Sequence, residues 1–250
     1  MGHRVAVLVL PGVLPLEFGI AAQIFGTDPH YELTVCASGP VHGDGFCVTA
    51  SAGLSALADA ETVVVPGYRD IDAKPSGDVL AALRDAHQRG ARLVSICSAA
   101  FALAAAGLLD GRPATTHWQV TDELRRQYPL IDVRPNCLYV DDGDILTSAG
   151  VTAGVDLCLH LIRRDNGTAA ANRRARAWSR LRNAREGRPS TSNACSQMPR
   201  GTNSRRCGPG CSATSLSTST STRSRDRQEC PGVRSSAASV RRPGLRRWPG

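Results

Sequence analysis

What this 250-residue chain lacks divides it in two. From Arg173 onward there is no Ile, Phe or Tyr and only three Leu and two Val, set among abundant Arg, Ser, Gly and Pro. Such a segment cannot bury enough apolar surface to offset the entropy of ordering it. It has no amphipathic repeat from which a recognition helix could be built, and no interleaved aromatics of the kind that stack on single-stranded bases. No apolar stretch in the chain is long enough to cross a bilayer; the best, residues 96–109, is short and interrupted by Gly107. The nine cysteines include no two CxxC-type pairs: Cys195, Cys207, Cys211 and Cys230 do not have the spacing of a zinc site. No metal site and no other cofactor is expected. Cys36, Cys47, Cys97, Cys137 and Cys158 lie mostly within strand or helix patterns without paired spacing, which implies reduced thiols and a cytoplasmic setting.

Charge divides the chain at the same place. Residues 1–172 carry 12 Lys and Arg against 19 Asp and Glu, whereas residues 173–250 carry 18 against 3. The overall +8 therefore describes neither part. The first part, rich in Val, Ile, Leu and Ala, is long enough for one buried α/β core that folds alone. The second reads as a disordered basic tail that would bind polyanions non-specifically and in a salt-sensitive way.

Along the first part, β-branched runs alternate with helical patterns. Residues 4–10 form a first buried strand and not a signal peptide, since Pro11 and Gly12 break the apolar run and Glu17 closes it. A helix over 16–25, a strand over 31–37, a strand or hairpin arm over 46–50 and a strand over 62–65 follow. Then come a helix over 77–89, a strand over 93–96, a helix over 98–106, a short helix over 121–127, a hairpin over 138–140 and 145–147, and a last helix over 151–164. This alternation implies a doubly wound, mostly parallel sheet with its sites at the strand C-termini, where Gly67 and Cys97 fall. Asp141, Asp142 and Asp144 lack the further ligands of a calcium loop and read as a solvated turn. His160 reads as a packed or partly exposed helix residue, and His30, His42 and His87 as loop or surface residues.

Cys97 stands where the strand over 93–96 turns into an alanine-rich helix. Unpaired N–H groups and the helix dipole at that junction favour thiolate over thiol, so the expected pKa lies below that of a free cysteine.

Four segments carry a resemblance: LPGVLPLEFGIAAQIFG (10–26), VPGY (65–68), SICSAAFALAAAGLLDGRPATTHW (95–118) and YVDDGDILTSAGVTAGVDLCLHLIRRD (139–165). They resemble the class I glutamine amidotransferase-like, or ThiJ/PfpI, domain. More narrowly, they resemble the N-terminal domain of AraC-family transcriptional regulators, over residues 5–172. The resemblance implies a flavodoxin-like sandwich that pairs as a homodimer, with Cys97 at a nucleophile elbow, Glu17 as the carboxylate beside it, and His117 in the family's Thr-Thr-His-Trp motif. Ser98 and Asp156, on the last helix, are further candidates for catalysis. Gly67 and Tyr68 would turn backbone N–H groups toward an oxyanion, and with Cys97 and Ser98 they would line a ligand pocket.

Two departures matter. Hydrolytic and deglycase-like relatives carry His directly after the cysteine, where this chain has Ser98, and Ala99 stands where Gly is common. A local Cys–His base is thus absent, which disfavours peptidase or deglycase chemistry. The expected role is sensing of an unidentified small molecule. The alternative is a Cys97-dependent enzyme resembling isonitrile hydratases, with Glu17 and Ser98 assisting.

AraC-type relatives continue into a paired helix-turn-helix, which residues 173–250 do not supply, so sequence-specific DNA binding is not expected of this form. One explanation is a change of reading frame near codon 173 of a GC-rich gene, which also accounts for the lone Lys74 against 29 Arg. It predicts that another frame beyond that codon encodes an intact helix-turn-helix. Sequencing the gene checks this, and the absence of any such frame would sink it.

Overall fold

The computed structural model describes residues 2–43 and 45–182, with side chains to residue 177. The expectation of a disordered tail lies, from residue 183 on, outside the described residues. In chain order the elements are β1 (His3–Leu8), α1 (Pro15–Gly26), β2 (Tyr31–Cys36), β3 (Val41–Gly43), β4 (Phe46–Val48), β5 (Thr62–Val65), α2 (Gly77–Gln88) and β6 (Arg92–Ile96). After these come α3 (Ala100–Ala105), β7 (Pro113–Ala114), α4 (Thr121–Gln127), β8 (Asp132–Val133), β9 (Tyr139–Asp141), β10 (Ile145–Ser148) and α5 (Thr152–Arg182).

Six strands form one sheet in the order β2-β1-β5-β6-β10-β9. All its pairings are parallel except the β9–β10 hairpin. The expected flavodoxin-like, doubly wound sheet is present, and its two faces follow from the period-two geometry of strands. Val7, Val64, Val94 and Leu146 sit side by side in register and share one apolar cluster with α1 and α5 residues such as Ile20, Ile24, Leu157 and Leu161. The alternate residues Leu8, Val63, Val65 and Leu93 belong to a second cluster, with Leu83 of α2 and Phe101 of α3. Because both faces are covered, the strands read as continuous hydrophobic runs.

Several elements depart from the expectations. The helix over 98–106 is a 3₁₀ turn, Cys97–Ala99, followed by a six-residue α3. β7 and β8 form a small parallel pair of their own. The last helix runs past residue 164 to Arg182, with a break at Gly167 (φ 81°, ψ 169°), a combination that only glycine adopts readily.

The Asp141–Asp144 turn is not simply solvated. Arg112 pairs with Asp142 (3.1 Å) and Asp144 (2.7 Å), and His87, in the last turn of α2, meets Asp144 at 2.6 Å. His160 and Arg164 of α5 meet Asp141 at 2.6 and 3.0 Å. These groups tie the β9–β10 hairpin to α2 and α5 at the N-terminal end of β10. The turn's acidic side chains are thus spent on cations of the fold.

Arg112, first, and His87 hold the Asp144 carboxyl well below the usual carboxylate range. A depressed native pKa contributes stability that is present above the unfolded value of 3.8 and is lost as pH falls through the native one. Because the Asp144 side chain is 47% exposed, solvent screening limits the effect of Asp144→Asn to about 1 kcal/mol at neutral pH. Urea unfolding at pH 7 and at pH 3 checks this, and the gap between variant and parent should narrow at the lower pH.

Candidate active site

The site forms where the C-terminal ends of β5, β6 and β10 meet the first turn of α1. β6 ends at Ile96, and Cys97 takes φ 62°, a left-handed backbone rare for any residue with a Cβ. That conformation turns the chain sharply from strand to helix. Two glycines make room for it. A Cβ on Gly67 would lie 2.9 Å from the Cys97 Cβ, and one on Gly150 would lie 2.8 Å from its Sγ. Gly150 is itself left-handed, at φ 87°.

Hydrogen bonds lock the elbow in place. The Ser98 hydroxyl donates to the Tyr68 carbonyl (2.6 Å) and accepts from the Tyr68 N–H (2.9 Å). Thr116 donates through Oγ1 to the Cys97 carbonyl at 3.0 Å. On the α1 side, the Leu14 N–H donates to the Gly67 carbonyl and the Arg69 N–H to the Gly12 carbonyl, which fastens the approach to α1 against the loop after β5. The Glu17 carboxylate is thereby buried in the first turn of α1, within hydrogen-bonding reach of Cys97 Sγ.

The electrostatics overturn one expectation. Burial, first, and then the Glu17 charge push the Cys97 thiol up to about 12, although the Ser98 N–H opposes this. The short α3 carries too small a dipole to reverse the balance. Cys97, 3% exposed, is a neutral thiol and not an activated thiolate. Cys36 and Cys158, buried in the sheet and in α5, are likewise pushed up to about 12 by desolvation.

Other expected residues fall as follows. His117 is half-buried next to the exposed Trp118, its Nδ1 accepts the Gln119 N–H at 3.4 Å, and burial lowers its pKa while the Glu17 charge opposes. The imidazole is therefore neutral at pH 7. The expectation that the Tyr68 N–H faces an oxyanion fails, because Ser98 Oγ takes that hydrogen. Ser98 is itself fully buried. Asp156 is exposed on α5, between the buried Ala153 and Leu157, on the helix face turned from the sheet. Sequence reasoning missed Gly150 and Thr116; the signal for the first was a glycine two residues past a buried strand. Among the described residues, no group of three His, Cys, Asp or Glu side chains is arranged to hold a metal ion.

Residues 3–164 match the family model described as the DJ-1/PfpI family. The chain belongs to the DJ-1/PfpI family. It is 32% identical to the HTH-type transcriptional regulator CdhR of Pseudomonas aeruginosa over 173 residues, which are 66% of this chain and 51% of that one. It thus spans about half the length of that regulator. It is 31% identical to an isonitrile hydratase of Pseudomonas putida over 171 residues, 64% of this chain and 71% of that enzyme. The fold matches the crystal structure of an AraC family transcriptional regulator from Pseudomonas putida at TM-score 0.63 and 22% identity, covering 71% of this chain and all of that one.

The like charge of Glu17 contributes to the high pKa of this DJ-1/PfpI cysteine, so Glu17→Gln should lower it while burial keeps it above the ordinary value. Iodoacetamide labelling rates between pH 7 and 10, with Cys97→Ser as blank, should show slow labelling that has not levelled off at pH 10 in the parent, and faster labelling at each pH in Glu17→Gln. Unchanged labelling in Glu17→Gln would mean that burial alone sets the thiol's pKa.

Proposed function

We propose that residues 1–172 are the small-molecule-sensing domain of an AraC-type transcriptional regulator. The observation that carries this reading is the state of Cys97: neutral, 3% exposed, and next to a serine whose hydroxyl is committed to the Tyr68 backbone. A nucleophile working at neutral pH needs a thiolate or an adjacent base. Here burial and the Glu17 charge keep the thiol protonated, and although Glu17 is placed to take the proton, the Tyr68 N–H that would stabilise negative charge on a substrate is held by Ser98. The likeness to regulators supports the same reading. In this proposal Glu17, Cys97 and Gly67 form the floor of the ligand site, and Trp118, 71% exposed beside His117, forms part of its rim.

A homodimer in the cytoplasm belongs to this proposal. It is supported by the exposed apolar side chains of Leu16, Leu130 and Leu138 and by the kinship with regulators. Non-specific polyanion binding by residues 173–250 is part of it too, supported by their 18 basic against 3 acidic residues.

A second reading is a Cys97-dependent hydratase, favoured by the larger share of its own length, 71%, over which the isonitrile hydratase is matched. One pair of assays separates the two. The sensing reading expects some compounds of a metabolite panel to raise the melting temperature of the full chain, and no formamide to form from an isonitrile. Turnover that vanishes in Cys97→Ala and falls steeply in Glu17→Gln would replace it with the enzyme reading.

A further inference from the structure

Arg174 lies among the residues that composition assigns to the basic tail, yet its side chain is only 11% exposed. Its Nη1 donates to Thr27 Oγ1 at 2.7 Å, and its Nε and Nη2 lie 3.4 and 3.3 Å from Asp28 Oδ2. Asp28 is 7% exposed, and its other oxygen accepts from the His30 backbone N–H (3.1 Å) and meets the His30 ring at 2.7 Å. Thr27 is the C-cap of α1. A guanidinium there meets both a buried carboxylate and the negative end of the α1 dipole.

The chain just before Arg174 has the form of an anchored hinge. Asp165 accepts two bonds from the Arg92 guanidinium (2.8 and 2.7 Å) and one from the Tyr31 hydroxyl (2.9 Å), and Asn166 donates to the same hydroxyl at 3.1 Å. Gly167 then breaks the helix. Beyond it, Ala170 and Ala171 are buried in the apolar cluster that contains Cys97, Ile20 and Ile24. The helix after Gly167 is therefore docked on the body of the domain by two alanines and one arginine.

One element touches both this docking point and the thiol. The first turn of α1 carries Glu17 against Cys97, and its C-cap holds Arg174. Ile20, Ala21, Ile24 and Phe25 are buried along it, and its twelve residues span about 18 Å between the two points. Displacements of about 1–2 Å are typical of packed helices that switch. Such a shift is enough to part hydrogen bonds of the lengths seen at Arg174.

We propose that the helix after Gly167 is an output arm of the domain, and that α1 couples a change at Cys97 to the Arg174–Asp28 clamp that holds the arm down. The use of this coupling rests on the sensing reading, but its mechanics do not. Altering the charge or volume at Cys97 displaces Glu17, α1 moves along its axis, and the clamp loosens while Arg92, Asp165 and Tyr31 hold the hinge in place.

Hydrogen–deuterium exchange of the full chain, read by peptide mass spectrometry, tests this without any ligand. Cys97→Asp is the input: it sets a second carboxylate against Glu17, and Asp tolerates the left-handed backbone. Exchange in peptides covering 168–177 should rise about tenfold, as it should in Asp28→Asn and Arg174→Ala, with β1, β5 and β6 unchanged. Adding Arg174→Ala to Cys97→Asp should give no further rise. If circular dichroism shows that Cys97→Asp does not fold, Glu17→Ala supplies the input with the same readout. A rise confined to 14–20 and 97–100, a rise spread evenly over the sheet, or an unchanged 168–177 in Arg174→Ala would overturn the proposal. A fruitless ligand screen bears on the sensing reading alone, and an uncoupled arm bears on this one alone.

Discussion

The left-handed backbone at Cys97 is the constraint on which the site depends. For a residue with a side chain, that conformation costs about 1–2 kcal/mol, and it persists only where neighbouring structure over-determines it. Here β6 delivers the chain, Ser98 ties the next residue to both polar groups of the Tyr68 peptide, and Thr116 holds the Cys97 carbonyl. Gly67 and Gly150 are then required because they face the thiol-bearing carbon at distances no Cβ could occupy. Three strand ends meet at this residue because β5, β6 and β10 are parallel neighbours in the sheet.

The same packing decides the charge of the sulfur. A thiol at a helix start is often read as a thiolate, since N–H groups and the dipole favour the anion. That argument assumes that the sulfur remains solvated and that the helix is long. Neither condition holds at Cys97: α3 has six residues, the thiol is 3% exposed, and a carboxylate stands beside it. Desolvation acts against the anion wherever the helix points, and a second negative charge adds to it.

Much of the fold was legible in the sequence, and the failures have common causes. Residues 62–65 and 93–96 announced buried strands through their β-branched runs, and 121–127 announced α4 to the residue. Cys97, Glu17 and Gly67 were legible as a group, and the structure brings them together. What failed was long-range pairing. Arg174 counted as a solvated tail charge because its partner, Asp28, is 146 residues away. The aspartates of the β9–β10 turn counted as solvated because Arg112, His87 and Arg164 reach them from three other segments. Composition averaged over a window cannot register a charge whose counter-ion the topology supplies. The Tyr68 N–H failed in the same way: its acceptor, Ser98, comes from 30 residues further along.

A thiol pKa near 12 does not by itself make the site inert, because the proton has a local destination. If the thiol adds to an electrophile, its proton passes to Glu17 and the sulfur's electron pair forms the new bond, so the negative charge moves from the carboxylate to the acceptor atom of the electrophile and the pocket gains no net charge. The relevant equilibrium is then this internal transfer and not the thiolate fraction in bulk water. A catalytic cycle needs more than the proton couple, however. Negative charge that develops on the substrate must meet pre-positioned donors, and such donors account for much of the rate enhancement where they are measured. The Tyr68 N–H, which stands in the right loop for that role, is already spent on Ser98. The site thus keeps a thiol–carboxylate pair, while the Tyr68 N–H, a donor in the right loop to meet such charge, is committed to the fold.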